Sequence, residues 1–317
     1  MKLKLMDHLI CPACHGNLRL KTESQEAGEI ISGELLCECG ASYPVSKGVP
    51  RFAAVPSAVK QSPDTVESFG FEWQTHKQPY SREKLKKIVL EQCKLEESFF
   101  PGKLILDAGC GAGLQTKFMN ELGAEVIGVD LSEAVNSAFE NNKSSEKVHI
   151  IQADLNNLPL RKKTFDMAYS EGVLHHTPDP KASLYNLMGF VKKGGYIAAG
   201  FYFKMDRFDI GLSTKDIVRR ILSVFPKKFV YYLCWLTVPL NKMPVIKNIM
   251  RDRFILFDPN NPDDKFTWCL NFDFFGLHKY QFYYTEKEVH DMFYNASVKL
   301  KDIVKGKINF FRATIDE

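Results

Sequence analysis

Short apolar runs alternate with stretches of helical spacing through the middle of this chain. The runs at 104–106, 124–130, 148–154, from 165 and at 196–203 have the length of buried strands, and helix-length segments separate them. That alternation predicts an α/β sheet of parallel strands. Ahead of it, Leu85, Ile88, Val89 and Cys93 share one side of residues 82–98 with charges opposite, which predicts a surface helix. Behind it, residues 216–225 put apolar side chains on one face and charges on the other. Pro226, Pro239 and Pro244 then break the next aromatic stretch into short helices. Thr285 and Glu288 stand at capping-box spacing, so a helix is predicted over 286–295, with two final strands near 297–304 and 308–315.

The first 55 residues differ, being mostly polar and strand-compatible, with little apolar surface for a core of their own. Residues 56–63 hold two prolines among small polar residues, which is linker chemistry. Residues 68–76 are dense in aromatics, suited either to core packing or to a lid over a ligand. Residues 271–284 are aromatic enough to line a pocket.

Composition adds little at the level of the whole chain. The 317 residues are 45% hydrophobic and 25% charged, which leaves room for a core of normal size, and a net charge of +4 argues for no particular partner. Locally the picture changes, because residues 204–253 carry eleven Lys/Arg against four Asp/Glu. Such a segment suits a helical cap with a solvated basic face or a surface for a phosphorylated or otherwise acidic molecule. Contact with a membrane surface or RNA is a further option. The longest apolar run, 229–240, falls well short of the roughly 20 residues that span a bilayer. No cleavable signal is visible at the start, and a cytoplasmic protein is expected.

Four of the eight cysteines crowd into the beginning, as Cys11, Cys14, Cys37 and Cys39. Two thiolate pairs brought together by a hairpin give the tetrahedral sulfur set that structural zinc favours, and four thiolates leave no open position for catalysis. A metal would also supply folding energy to a segment this small. His15 is a possible substitute ligand. With the residues from Cys39 to Pro50, the cysteines resemble a zinc-ribbon family that includes the small activator subunits of tRNA and protein methyltransferases. The resemblance covers residues 8–52, and the Cys-x-Cys spacing of the second pair departs from the usual Cys-x-x-Cys. Six Lys/Arg balance six Asp/Glu over residues 1–55, so the ribbon is expected to fold or dock rather than grip nucleic acid.

The chemistry concentrates after residue 104. Asp107 ends the first strand, and Gly109, Gly111 and Gly113 follow at alternate positions before a helix. Glycines there let backbone approach a ligand at a helix amino end. A dinucleotide fingerprint would want its third glycine at 114, where this chain has leucine, and that favours an adenosyl ligand without a pyrophosphate. The second strand ends in Asp130, placed to accept ribose hydroxyls, and the third in Asp154, followed by Leu155. Three carboxylates on one carboxyl edge lie where open α/β sheets bind ligands.

Together with Glu171, Gly172, His175, His176 and the run from Lys192 to Gly195, these residues resemble class I S-adenosylmethionine-dependent methyltransferases over residues 102–203. Lys193 stands where that family usually has proline. The resemblance implies a Rossmann-like seven-stranded sheet with helices on both faces, closed by antiparallel strands. It assigns Gly109, Gly111 and Gly113 to the methionine and ribose moieties, and Asp107 to the amino group. Asp130 would take the ribose hydroxyls, Leu131 would lie against adenine, and Asp154 would accept from the adenine amine beside Leu155. Glu171 would line the site near the sulfonium. For a hydroxyl acceptor, His175 or His176 is a candidate base, with His176 ahead.

The chain lacks the Asn-Pro-Pro-Tyr or Asp-Pro-Pro-Tyr of exocyclic-amine base methyltransferases, and it lacks a Pro-Cys pair for covalent attack on a pyrimidine. The expected organisation is a ribbon over 1–55, a linker and lid over 56–103, and a methyltransferase domain over 104–317 with a helical acceptor cap at about 204–265. The expected activity is O-methylation of a small-molecule or saccharide-like acceptor. An RNA methyltransferase that docks through its ribbon is the enzymatic alternative, and a non-catalytic binding partner of a second protein is the other.

Overall fold

The computed structural model describes residues 1–53, 70, 80–204, 217–222, 224–243, 264–275, 280–296, 298–305 and 308–316. The linker expected at 56–63 and the aromatic stretch at 68–76, apart from Gly70, lie outside the described residues, as do 205–216, 244–263 and 276–279 of the insert and aromatic tail.

The first segment forms a four-stranded antiparallel sheet of β1 (Leu18–Glu26), β2 (Glu29–Cys37), β3 (Ser42–Ser46) and β4 (Val49–Pro50), in that order. Left-handed residues at Ala27-Gly28 and Lys47-Gly48 make the two tight turns such hairpins need. Helix α1 (Arg82–Lys86) follows and widens into a π-type turn over Lys87–Glu91. It buries Ile88 and Val89 as the spacing predicts. It stops well before residue 98, because Lys94 takes a left-handed φ of 52° and a 3-10 turn occupies Glu97–Phe99.

The second sheet has seven strands. Its parallel part comprises β5 (Leu104–Ala108), β6 (Glu125–Asp130), β7 (Val148–Gln152), β8 (Phe165–Ser170) and β9 (Val191–Tyr202). Helices α2 (Leu114–Glu121), α3 (Ala134–Asn142) and α4 (Pro180–Met188) connect them. After the insert helices α5 (Lys227–Trp235), α6 (Thr237–Lys242) and α7 (Asp264–Phe275), helix α8 (Glu286–Asn295) carries the predicted capping box. The chain then adds β10 (Lys299–Val304) and β11 (Ile308–Thr314), with β11 antiparallel to both β10 and β9. The spatial order is β10-β11-β9-β8-β5-β6-β7. The strand order therefore reverses at β5, whose carboxyl end faces the crevice where open sheets take ligands.

Two further boundaries differ from those the sequence pattern predicts. Strand β9 begins at Val191 rather than 196, running through the Lys192–Gly195 stretch with a left-handed Gly194. The amphipathic helix expected at 216–225 is helical over 217–222, and Val224 and Phe225 already turn.

The ribbon is not an appendage on a string. Leu9, Leu35, Tyr43 and Phe52 share one apolar cluster with Ile127, Val129, Ile151 and Leu160 of the large sheet and its loops. Phe52 N–H donates to the Gln152 carbonyl at 2.7 Å and Ile10 N–H to the Pro159 carbonyl at 3.0 Å, so the ribbon occupies the otherwise open edge of β7. The turn at Gly48 meets α3 so closely that a Cβ there would lie 2.3 Å from the Phe139 ring.

Candidate functional site

The glycine turn is built by β5 and β6 together. Gly109 and Cys110 both donate N–H to the Val129 carbonyl, at 2.7 and 3.0 Å. Gly109, Gly111 and Gly113 all have positive φ, at 88°, 52° and 73°. At Gly109 a Cβ would fall 2.2 Å from Val173, so the turn lies directly under the segment leaving β8. Helix α2 starts at Gly113 with no side chain capping its amino end, the kind of end that receives a ligand's polar groups.

The three predicted aspartates stand at the carboxyl ends of adjacent strands, staggered rather than level. Asp107 is paired in register with Gly128, and Asp130 with Gln152. Asp107 is 2% exposed and accepts from Thr116 Oγ1 at 2.5 Å. Burial, helped by the charges of Glu171 and Asp130, pushes its carboxyl up to about 7. Asp130 accepts from Gly111 N–H at 2.9 Å and from the N–H and hydroxyl of Ser132 at 2.8 and 2.7 Å. Burial still raises its pKa. Glu171, also raised by burial, accepts from Gln115 Nε2 at 2.9 Å and from the Tyr169 hydroxyl. Asp154 receives the Asn156 N–H at 2.8 Å, and Leu155 beside it is buried. Leu131 is half-buried.

Three carboxyls of raised pKa around one turn are electrostatically suited to a ligand that carries positive charge. S-adenosylmethionine, with an ammonium and a sulfonium, has that chemistry.

The histidines part company. Both lie in a 3-10 turn, Leu174–His176. His175 is fully buried, with its ring centroid 3.8 Å from that of Tyr202. His176 Nδ1 lies 2.9 Å from the Tyr280 carbonyl. A carbonyl only accepts, so Nδ1 carries the hydrogen and Nε2 the lone pair. Burial pushes His176 down to about 4, which keeps it neutral at neutral pH. Phe282 N–H donates to the His175 carbonyl at 2.9 Å, so the aromatic tail is clamped onto this turn.

Two residues that belong to no motif reach the same loops. Gln152 Nε2 donates to the Leu131 carbonyl at 3.0 Å, and the ribbon's Arg51 donates to Gln152 Oε1 at 3.1 Å and to Asn136 Oδ1 at 2.7 Å. No local signal marks either, since their partners lie far away in sequence.

At the other end of the ribbon, the sulfur atoms of Cys11, Cys14, Cys37 and Cys39 all lie within 4.8 Å of one another. Cys11–Cys39 and Cys14–Cys37 are 3.8 and 3.4 Å apart. Sulfurs about 2.3 Å from a tetrahedral zinc lie about 3.8 Å from each other, so the donor set fits that ion. His15 is exposed and outside the cluster.

Comparison with known proteins agrees with this division. Residues 106–199 match the family described as methyltransferase domain, and residues 2–48 match the family described as Trm112p-like protein. A ubiquinone biosynthesis O-methyltransferase of Coxiella burnetii is 33% identical over 129 residues, 40% of this chain and 54% of that protein. A malonyl-[acyl-carrier protein] O-methyltransferase of Pseudescherichia vulneris is 33% identical over 94 residues, 30% of this chain and 37% of that protein. The chain thus spans about half the length, or less, of these curated relatives. Among solved structures, a chain from the complex between the Haloferax volcanii Trm112 methyltransferase activator and the putative methyltransferase aligns over 82% of this chain and all of that one. Its sequence identity is 10% and its TM-score 0.48. One chain therefore carries a segment similar to Trm112p-like proteins ahead of a segment similar to methyltransferase domains.

Proposed function

We propose that the chain is an S-adenosylmethionine-dependent methyltransferase that modifies an oxygen of a small-molecule or saccharide-like acceptor. The observation that carries this reading is the grouping of Asp107, Asp130 and Glu171, all raised by burial, around the glycine turn at the switch point of the sheet. In this reading Gly109, Gly111 and Gly113 give room to the methionine and ribose moieties. Asp107 balances the amino group, Asp130 turns toward the ribose hydroxyls, and Asp154, Leu131 and Leu155 frame the adenine. Oxygen as acceptor is supported by the two O-methyltransferase relatives.

S-adenosylmethionine supplies an electrophilic methyl group poised for in-line displacement. The protein's share is alignment of the acceptor, exclusion of water and removal of a proton. His176 is the better candidate for the last task, because its Nδ1–H is fixed on Tyr280 and Nε2 keeps a lone pair. His175 is closed off under Tyr202. The ribbon over 1–55 holds structural zinc through Cys11, Cys14, Cys37 and Cys39 and acts as a brace for the cofactor loops. The methyltransferase domain, 104–317, carries its acceptor cap at about 204–265.

Titration calorimetry of the full chain with S-adenosylhomocysteine tests the reading. Saturable binding is expected, and Asp130→Ala should weaken it roughly tenfold, the worth of a charge-assisted hydrogen bond. Absence of binding to folded, zinc-replete protein overturns the assignment.

A further inference from the structure

Helix α5 is apolar on two sides. Val230, Tyr231 and Cys234 pack with Phe272 and Phe275 of α7 in a small core of their own. Phe229, Tyr232, Trp235 and Leu236 point the other way and are exposed, Tyr232 at 66% and Trp235 at 49%. Ile221 and Val224, just ahead, are exposed as well, Val224 at 79%. Of the twelve exposed large hydrophobic residues among those described, nine fall within 217–243. Scattered exposure is ordinary, but a concentration of this kind marks an interaction surface.

The charge of the same segment says what covers it. Residues 217–243 contain five Lys/Arg and no Asp or Glu. Arg220, Lys228 and Lys242 are exposed beside the apolar side chains. Trp235 also walls an open recess of about 470 Å³ with Tyr231, Val238, Pro239 and Trp268, and Lys265 and the Lys242–Asp264 ion pair stand at its lip. Aliphatic and aromatic residues interleaved with cations, the recess's Asp264 being neutralised by Lys242, are what the boundary between lipid headgroups and acyl chains selects. A nucleic acid would want cations without Ile221, Val224 and Leu236 among them. No described helix is long and apolar enough to cross a membrane, so the contact is with a surface.

We propose that the described residues of 217–243 form a docking face for an anionic phospholipid bilayer, with Phe229, Tyr232, Trp235 and Leu236 entering the interface and the exposed Arg220 and Lys228 meeting lipid phosphates. The inference does not depend on which molecule is methylated, nor on methyl transfer itself.

The test is flotation of the full chain with phosphatidylcholine vesicles that contain or lack phosphatidylglycerol. Binding is expected with the anionic vesicles, and roughly tenfold less with the neutral ones or at high salt, since the basic residues supply part of the attraction. The triple variant Phe229→Ser, Tyr232→Ser, Leu236→Ser removes only exposed groups and should float at least roughly tenfold less while binding S-adenosylhomocysteine as before. Arg220→Glu with Lys228→Glu should lower the anionic preference and keeps the proposal testable if the triple variant misfolds. Failure of the full chain to float with anionic vesicles at low salt overturns the proposal. So does retention of structured RNA without vesicle binding, or a triple variant that floats like the parent.

Discussion

Arg51 donates a hydrogen bond to Gln152 across 3.1 Å, and that contact joins the end of the ribbon to the end of edge strand β7. The two residues also form a parallel backbone bridge, and the Gln152 amide passes the connection on to the Leu131 carbonyl and the Glu133 carboxylate. Leu131 directly follows Asp130, so the ribbon reaches the loop proposed to hold the cofactor through a single intervening side chain.

Removal of the guanidinium tests this relay. Arg51→Ala leaves Gln152 Oε1 and Asn136 Oδ1 without their donor. Loss of such partly buried, charge-assisted bonds costs about 1–3 kcal/mol. Thermal melting should fall accordingly, and S-adenosylhomocysteine affinity should drop several-fold as the 131–133 loop loosens. An unchanged binding isotherm in a variant that melts lower would show that the ribbon stabilises without bracing the site.

Binding should also depend on pH through Asp107. Its folded pKa of about 7 lies far above the ordinary 3.8, so the empty protein holds a proton there that the unfolded chain has lost. The empty protein therefore loses stability from this group as pH rises from about 4 to about 7. A cationic ligand favours the carboxylate, so S-adenosylmethionine affinity should rise as pH climbs through about 7, with release of a proton. Asp130 and Glu171, shifted the same way, reinforce the trend. Calorimetry in buffers of different ionisation enthalpy measures the proton, and Asp107→Asn should flatten the pH profile. A flat profile in the parent protein would falsify the proposed ammonium contact.

Metal analysis of reduced protein should find zinc in stoichiometric amount. Cys14 and Cys39 are exposed whereas Cys11 and Cys37 are buried, so Cys14→Ser and Cys39→Ser test ligation with little loss of packing. Each should release zinc and lower the melting temperature by roughly 5 °C or more, the effect of about 1–2 kcal/mol in a domain of moderate size. Because the ribbon shares its apolar cluster with the large sheet, destabilisation should extend to β7, readable as faster amide exchange there.

The seam between ribbon and sheet should be acid-sensitive. His149 is buried on β7, with Nε2 3.1 Å from Glu125, whose other oxygen takes Lys4 of the ribbon at 2.6 Å. Burial lowers His149 from 6.5 to about 4. A depressed histidine contributes stability that is complete above the unfolded pKa and fades as pH falls toward the folded one. The window here runs from 6.5 down to about 4, and the contribution is about 1–3 kcal/mol. Glu125, held below its usual range by Lys4 and His149, adds to the same loss at the acid end. Urea unfolding across this window should show stability falling with pH, and His149→Gln should flatten the curve. Equal slopes in the two proteins would remove His149 from the explanation.

The parallel strands, the glycine turn and the acids at strand ends were legible in the sequence because each is a local signal. A buried strand needs a run of apolar residues, a left-handed turn needs glycine at Gly109, and a cap needs Thr285 three residues before Glu288. Local patterns failed at the margins. The helix expected at 82–98 ends early at left-handed Lys94, and β9 absorbs the Lys192–Gly195 stretch as an irregularity between the pairs Phe165–Val191 and Met167–Tyr196 that anchor it to β8 on either side. Folding alone placed the ribbon along β7, made the Arg51–Gln152–Leu131 connection, and gave His176 a carbonyl partner while setting His175 against Tyr202. Those contacts join residues up to about a hundred positions apart, as in Arg51 with Gln152 and His176 with Tyr280. A single polar side chain that meets a distant partner leaves no periodicity behind, so nothing in the linear pattern announces it before the chain has folded.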